Sequence, residues 1–267
     1  MAKPSARASR SKKHPKPTPS IQVIPIEGLP EVHAGDDLAE CLVAALRGSK
    51  IRLDHGDVLV VAQKIVSKAE GRMANLAEIL PSAPAVELAA TLKKDPRLIE
   101  VVLRESRRIV RRDPVLIVET HHGFVCANAG VDHSNVPGEA IVSLLPRDPD
   151  RSAARLARAL RRRTGKRIAV IISDTFGRPW RLGLTNVAIG AAGIPVLIDL
   201  RGQRDRHGKL LHATILAVAD ELAAAAGLAM GKSAGIPAVI VRGYRYRATA
   251  RATAAQIIRP ANEDLFR

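Results

Sequence analysis

Hydrophobic residues along this chain gather in short, nearly continuous runs separated by amphipathic stretches, a pattern that predicts strands interleaved with helices. Residues 21–26 (IQVIPI) are mostly apolar and β-branched, so a strand is expected there, broken by Glu27-Gly28-Leu29-Pro30. Residues 57–66 (DVLVVAQKIV) predict a second, buried strand running into Ser67-Lys68-Ala69-Glu70-Gly71-Arg72. Residues 115–120 predict a third. Residues 168–172 (IAVII), five apolar residues in a row, predict a fourth that ends abruptly in Ser173-Asp174-Thr175 and then Gly177-Arg178. Residues 194–200 and 236–241 bring the strands to at least six.

Between these runs the period changes to that of a helix. Asp36 and Asp37 precede LAECLVAALRG, with acids at its start and Gly48 near its end, as an amphipathic helix requires. Residues 75–112 read as helical, divided by Pro81, Pro84 and Pro96, with 104–112 too charged for a core. Residues 151–167 (RSAARLARALRRRTGKR) place Ala153, Leu156, Ala157 and Leu160 on one side and leave a basic, solvated face on the other. Residues 212–230, rich in Ala and Leu, predict a buried helix. The short connection around His121-His122-Gly123 between 115 and 127 predicts antiparallel pairing. The expected fold class is therefore a mixed α/β (α+β) body with parallel and antiparallel strands, and not a clean doubly wound sheet.

Composition refines this picture at the chain's beginning. The 267 residues are 46% hydrophobic, enough for a real core. Residues 1–20 carry six Lys/Arg and no acid, with several Pro and Ser, so a disordered basic tail is expected ahead of a single domain over 21–267. That tail has no apolar centre of the kind a secretory signal needs, and no run approaches 18 apolar residues, so a cytoplasmic protein without a membrane span is expected. Cys41 and Cys126 read as ordinary core residues. The net charge of +16 leaves +10 on the body once the six tail charges are subtracted, which points to an acidic partner. Six aromatic residues offer few platforms for stacking bases, so nucleic acid is the weaker candidate; duplex binding through phosphates alone stays open.

Candidate chemistry concentrates at the strand ends. Gly231-Lys232-Ser233 suggests a P-loop but fails on spacing, because only three residues separate Gly227 from Gly231 and the segment follows a helix. A glycine-rich turn lining a phosphate site remains open. No zinc spacing exists among His121, His122, His133, His207 and His212, and Ser173 lacks the G-x-S-x-G elbow of a hydrolase. Asp132, in residues 125–135 (VCANAGVDHSN), and Asp174 each follow an apolar run and are flanked by hydroxyl or amide groups. Hard cations such as Mg²⁺ or Mn²⁺ want such oxygen ligands, although Asp also shapes turns without any ligand. Lys68, Arg72, Arg178 and Arg181 follow the same strand exits, where they would neutralise phosphate oxygens or simply face solvent.

Taken together, these segments resemble the coenzyme F420-0:L-glutamate ligases, also called F420 γ-glutamyl ligases. The resemblance is collinear over nearly the whole body: Glu27-Gly28-Leu29-Pro30, Gly35-Asp36-Asp37-Leu38, residues 56–72 (GDVLVVAQKIVSKAEGR), 128–135 (NAGVDHSN), 172–181 (ISDTFGRPWR) and 235–244 (GIPAVIVRGY). It implies a two-lobed fold, an intertwined homodimer and GTP-dependent amide synthesis with Mg²⁺ or Mn²⁺, and with K⁺. GTP would phosphorylate the terminal carboxylate of F420-0, and L-glutamate would attack the acyl phosphate to give F420-1 and, by repetition, F420-2. By the same resemblance Asp132 and Asp174 hold one metal and Thr175 contributes to a second. Nucleotide contacts fall on Glu27, Gly28, Leu29, Pro30, Gln63, Lys64, Lys68, Asn135 and the turn Met230, Gly231, Lys232, Ser233, Ala234, Gly235, Ile236. Arg178 and Arg181 are added here as phosphate or carboxylate anchors. One departure stands out: archaeal relatives carry a glutamate where this chain has Lys232, and a protonated lysine cannot ligate a cation. Because the chain ends at Arg267, the flavin-binding C-terminal domain of some bacterial relatives is not expected.

Overall fold

A computed structural model of the chain describes residues 20–134, 138 and 140–264; the expected basic tail, apart from Ser20, lies outside this range, as does Asn135. The strands are β1 (Gln22–Pro25), β2 (Val58–Ala62), β3 (Met73–Asn75), β4 (Ser106–Arg111), β5 (Ile117–Thr120), β6 (Val125–Ala127), β7 (Ile141–Ser143), β8 (Ala169–Arg178), β9 (Arg181–Ala192), β10 (Ile198–Asp199), β11 (Ile215–Leu216) and β12 (Ala238–Arg242). The α-helices are α1 (Leu38–Gly48), α2 (Gln63–Ala69), α3 (Ala83–Leu92), α4 (Pro96–Arg104), α5 (Pro149–Thr164) and α6 (Val218–Met230).

The larger lobe is built on a five-stranded sheet in the order β1-β12-β2-β8-β9. Only the β2–β8 pair is parallel, with Ala62 opposite Ser173; its neighbours run antiparallel. Strand side chains alternate between faces, and here both faces are covered, which is why these runs are continuously apolar. Leu59, Val61, Val170, Ile172, Ala238 and Ile240 pack on one side with residues of α1 and α5. Val58, Val60, Ala169, Ile171, Val239 and Val241 pack on the other with Ala219, Leu222, Ala223 and Ala226 of α6. A third core, with Leu88, Ile99, Val102, Leu116 and Val118, fills a smaller lobe made from α3, α4, the β4-β5-β6 sheet and the β3–β7 pair. The chain is thus a mixed α/β protein, as its periodicity predicts.

Local chemistry agrees with the helix boundaries where caps are strong. Asp37 accepts hydrogen bonds from the Ala39 and Glu40 N–H groups at the start of α1, and Asp148 accepts from the Arg151 N–H at the start of α5. Helix α5 ends on Gly165 in the left-handed region. It buries Ala153, Leu156 and Leu160 and leaves Ala157 half-buried, as its spacing predicts. Among the described residues, no helix is long and apolar enough to cross a membrane.

Five expectations need correction. The strand expected over 57–66 stops at Ala62, and α2 takes over; Ala62, Ile65, Val66 and Ala69 are spaced for one helix face, a signal hidden by the apolar run before it. The helical reading of 75–112 holds for α3 and α4 but not for 106–111, which form edge strand β4 against β5, where arginines point to water. The strand from Ile168 does not exit at Ser173: β8 continues to Arg178 and folds back through Pro179-Trp180 into β9, an unpredicted strand. Within 194–200 only β10 is extended, and it pairs with β11 inside the segment expected to be helical. Helix α6 consequently starts at Val218, not at His212.

Candidate active site

The parallel pair sets the position of a cleft of about 530 Å³. Where β2 and β8 end side by side at Ala62 and Ser173, one chain turns into α2 and the other continues as the β8–β9 hairpin. The carboxyl ends of adjacent parallel strands, diverging in this way, open a crevice. Into it come Gln63, Lys64 and Lys68 from α2, Ser173, Asp174 and Thr175 from β8, and Asn186 from β9. The loop at Leu29–His33 and the turn after α6 close two sides. Asp132 and Ser134 arrive from the smaller lobe, so the cleft lies between the lobes.

Each of these groups is held by a specific device. Asp132 follows a tight turn in which Asn128, Ala129 and Gly130 all take positive φ. Its backbone then pairs both ways with Ser143, the N–H of each bonding the other's carbonyl at 3.1 and 2.9 Å. The Lys64 ammonium donates to Asp132 Oδ2 at 2.8 Å and to the Ser134 carbonyl and hydroxyl, both at 2.6 Å. Ser134 in turn donates its N–H to Asp132 Oδ1 at 2.9 Å. Lys68, buried on α2, donates to Glu31. On the opposite wall the Lys232 ammonium donates to Thr175 Oγ1 at 2.9 Å, and that hydroxyl donates to Asn186 Oδ1 at 3.1 Å. Gly231, at φ 58° and ψ −167°, makes the reversal that brings Lys232 round; this conformation is open essentially to glycine alone. Ser173 Oγ is buried at the floor with no protein partner among the described residues.

The two carboxylates differ in environment. Burial pushes Asp174 up to about 6, helped by the charge of Asp132 and opposed by the Thr175 N–H, Lys64 and Lys232. Burial also raises Asp132, but hydrogen bonds from Lys64 and Ser134 outweigh it and hold the group below the ordinary carboxylate value. Asp174 makes no ion pair within 4 Å among the described residues, so its charge faces the cleft with only partial compensation. Among the described residues no group of three or more His, Cys, Asp or Glu is placed so that it could hold a metal ion. Two carboxylates and a hydroxyl suit a hard divalent ion that takes its remaining ligands from phosphate and water. They do not form an all-protein cage. Lys64, Lys68 and Lys232 give the same cleft a cationic lining suited to phosphate oxygens.

The structure thus brings together Leu29, Pro30, Gln63, Lys64, Lys68, Asp132, Asp174, Thr175, Met230, Gly231, Lys232, Gly235 and Ile236. Glu27 and Gly28 instead line a separate depression beside the end of α1. Ser233 and Ala234 lie in the turn but outside the cleft lining. Arg178 and Arg181 lie outside the cleft lining, exposed at the far end of the β8–β9 arm, where Arg178 donates to the Leu182 carbonyl at 2.8 Å. The cause is the continuation of β8, which carries them away from Asp174. Arg72 ties the lobes together, donating to Glu105 at 2.7 Å and to the Leu145 carbonyl at 3.0 Å. Glu31, His33 and Asn186 were not expected. Glu31 and His33 lie directly after the Glu27–Pro30 motif, a usable signal; Asn186 had none, because its strand was not predicted.

The family model described as F420-0:Gamma-glutamyl ligase matches residues 28–243. The chain is 48% identical over 250 residues to the coenzyme F420:L-glutamate ligase of Methanothermobacter thermautotrophicus, covering 92% of this chain and 99% of that protein. It is 48% identical over 258 residues to the enzyme of the same name from Methanopyrus kandleri, covering 94% and 98%. With that of Archaeoglobus fulgidus it shares 44% over 248 residues, covering 92% and 96%. The matched span begins in the loop that borders the cleft and ends just past β12, so it takes in every side chain that meets there, and the chain belongs to the F420-0:gamma-glutamyl ligase family.

Proposed function

We propose that this chain joins L-glutamate to coenzyme F420-0 through an amide bond, driven by GTP. The observation that carries this reading is the convergence of Asp132 and Asp174 with Lys64, Lys68 and Lys232 in one interlobe cleft. Phosphoryl transfer asks for such a site, because it depends on positioning and neutralisation more than on a protein nucleophile. In the first step a carboxylate oxygen of F420-0 bonds to the γ-phosphorus, the bond to the β,γ-bridging oxygen breaks, and GDP leaves. In the second, the neutral amino nitrogen of glutamate bonds to the acyl carbon, phosphate leaves with the electron pair of the C–O bond, and the nitrogen gives up one proton to the departing phosphate. The product is γ-glutamyl F420, as F420-1 and, after a second round, F420-2.

The roles of individual residues follow from placement. Lys64, Lys68 and Lys232 bind phosphate oxygens, and the Leu29–Pro30 loop, Gln63 and the turn after α6 border the nucleotide. Mg²⁺ or Mn²⁺, held by Asp132 and Asp174, would withdraw charge from the transferring phosphate, and K⁺ would accompany it. The exposed Leu182 and Leu184 on the β8–β9 arm, 98% and 64% accessible, support a homodimer. A cytoplasmic setting fits substrates that are all soluble and acidic.

Mass spectrometry tests this directly. Purified protein with GTP, Mn²⁺, K⁺, glutamate and F420-0 is expected to add one glutamyl residue per GDP formed, and Asp174→Ala to abolish the addition. Unchanged F420-0 with the wild-type chain, or equal product from both proteins, would overturn the reading.

A further inference from the structure

Lys232 enters the cleft where its charge is that of a bound cation. Its ammonium donates to Thr175 Oγ1 at 2.9 Å, and the Thr175 proton is already committed to Asn186 Oδ1 at 3.1 Å. The chain Lys232, Thr175, Asn186 is buttressed from behind. Asn186 Nδ2 lies 3.7 Å from Met230 Sδ, and α6 approaches so closely at Gly227 that a Cβ there would sit 2.9 Å from Asn186 Cγ. With Gly231 fixing the direction of the turn, backbone and core together set the Thr175 hydroxyl that the exposed Lys232 side chain meets. Across the cleft, Lys64 pairs with Asp132 Oδ2, while Asp132 Oδ1 accepts the Ser134 N–H and keeps a second lone pair for a ligand; Asp174 is the carboxylate without an ion pair among the described residues.

We propose that the Lys232 ammonium takes the place of one cation at this site, so that the cleft holds a single divalent ion, on Asp132 and Asp174, beside the nucleotide. The inference rests on the nucleotide-binding reading given above. A protonated amine offers no lone pair to a metal, and it repels a second divalent ion from the Thr175 wall. It also supplies there the positive charge that the phosphate oxygens need, on a tether that is never diluted away. Thr175 is accordingly a positioning residue for Lys232 and not a metal ligand.

The count of bound metal ions decides this without turnover. Mn²⁺ is titrated into the full-length protein in the presence of a non-hydrolysable GTP analogue, and free Mn²⁺ is read by electron paramagnetic resonance. The wild-type chain is expected to bind one Mn²⁺ per protomer and Lys232→Glu two, because a carboxylate restores a ligand on that wall. Lys232→Met, which removes the charge and adds no ligand, is expected to keep one Mn²⁺ while binding the analogue more weakly. Residue 232 is exposed, and matching thermal unfolding of the three proteins checks their folding. Two Mn²⁺ on the wild-type chain, or equal counts on wild type and Lys232→Glu, whether none, one or two, overturn the proposal. The expected counts without any GTP-dependent glutamate incorporation would leave the cation assignment standing and remove the ligase reading instead.

Discussion

Gly227→Ala measures the packing that orients Asn186. A methyl group on Gly227 would sit 2.9 Å from Asn186 Cγ, 3.0 Å from Nδ2 and 3.3 Å from Cβ, closer than such atoms pack. The helical backbone of α6 suits alanine, so the exchange by itself favours the folded state by about 1 kcal/mol. Overpacking costs about 1–3 kcal/mol when the neighbour has to move. Here the neighbour is held, since Asn186 accepts the Thr175 hydroxyl and contacts Met230. The clash wins, and the substitution is expected to lower stability by about 1 kcal/mol, the middle of the overpacking range less the propensity gain. In an Asn186→Ala background the two nearest atoms are gone and the tight contact with Cβ at 3.3 Å remains, so the loss is expected to shrink to near zero as the propensity gain of about 1 kcal/mol offsets it. Equilibrium urea unfolding of wild type, both single variants and the double variant gives the coupling. If Gly227→Ala stabilises the wild-type chain, or changes stability equally in both backgrounds, Asn186 is not pinned by α6 and the reasoning fails.

Other positions give independent checks. Gly190→Ala puts a Cβ 2.5 Å from the backbone C and O of Pro149; because the first turn of α5 cannot yield like a side chain, a loss of about 3 kcal/mol is expected in urea unfolding. Arg72→Met strands Glu105 in a largely buried site, both side chains being at most 20% exposed. A loss of about 2 kcal/mol is expected, mostly recovered in Arg72→Met/Glu105→Leu, and equal losses in both variants would contradict the clamp. Glu100 is held at about 2, against an ordinary 4.5, by the Ser82 hydroxyl, the Ser82 N–H and Arg104. A depressed folded value means that its contribution is complete above 4.5 and drains away as pH falls towards 2. Unfolding titrations between these limits are expected to show a shallower acid decline in Glu100→Gln than in wild type; parallel declines would exclude the carboxyl.

How much of this was legible in the residues depends on the range of the interaction involved. Periodicity and caps are local, so the sequence by itself determined the edge strand β1, the buried strands β2 and β12, the helices α1 and α5 with their aspartate caps, and the pairing of Asp132 with Asp174 as candidate ligands. Where two local signals overlapped, as at Ala62, the apolar run masked the start of α2. Where stability comes from a neighbour, pattern was silent: β4 and the outer half of β8 and β9 are exposed strands that exist because a partner strand satisfies their backbone. Only the tertiary structure could carry Arg178 away along that arm, bring Glu31 to Lys68, and seat Lys64 on Asp132 and Lys232 on Thr175 across 68 and 57 residues of chain. Contacts of that reach are set by strand register, by the closeness of α6 at Gly227 and by the turn at Gly231. None of these leaves a periodic trace in the segments it joins.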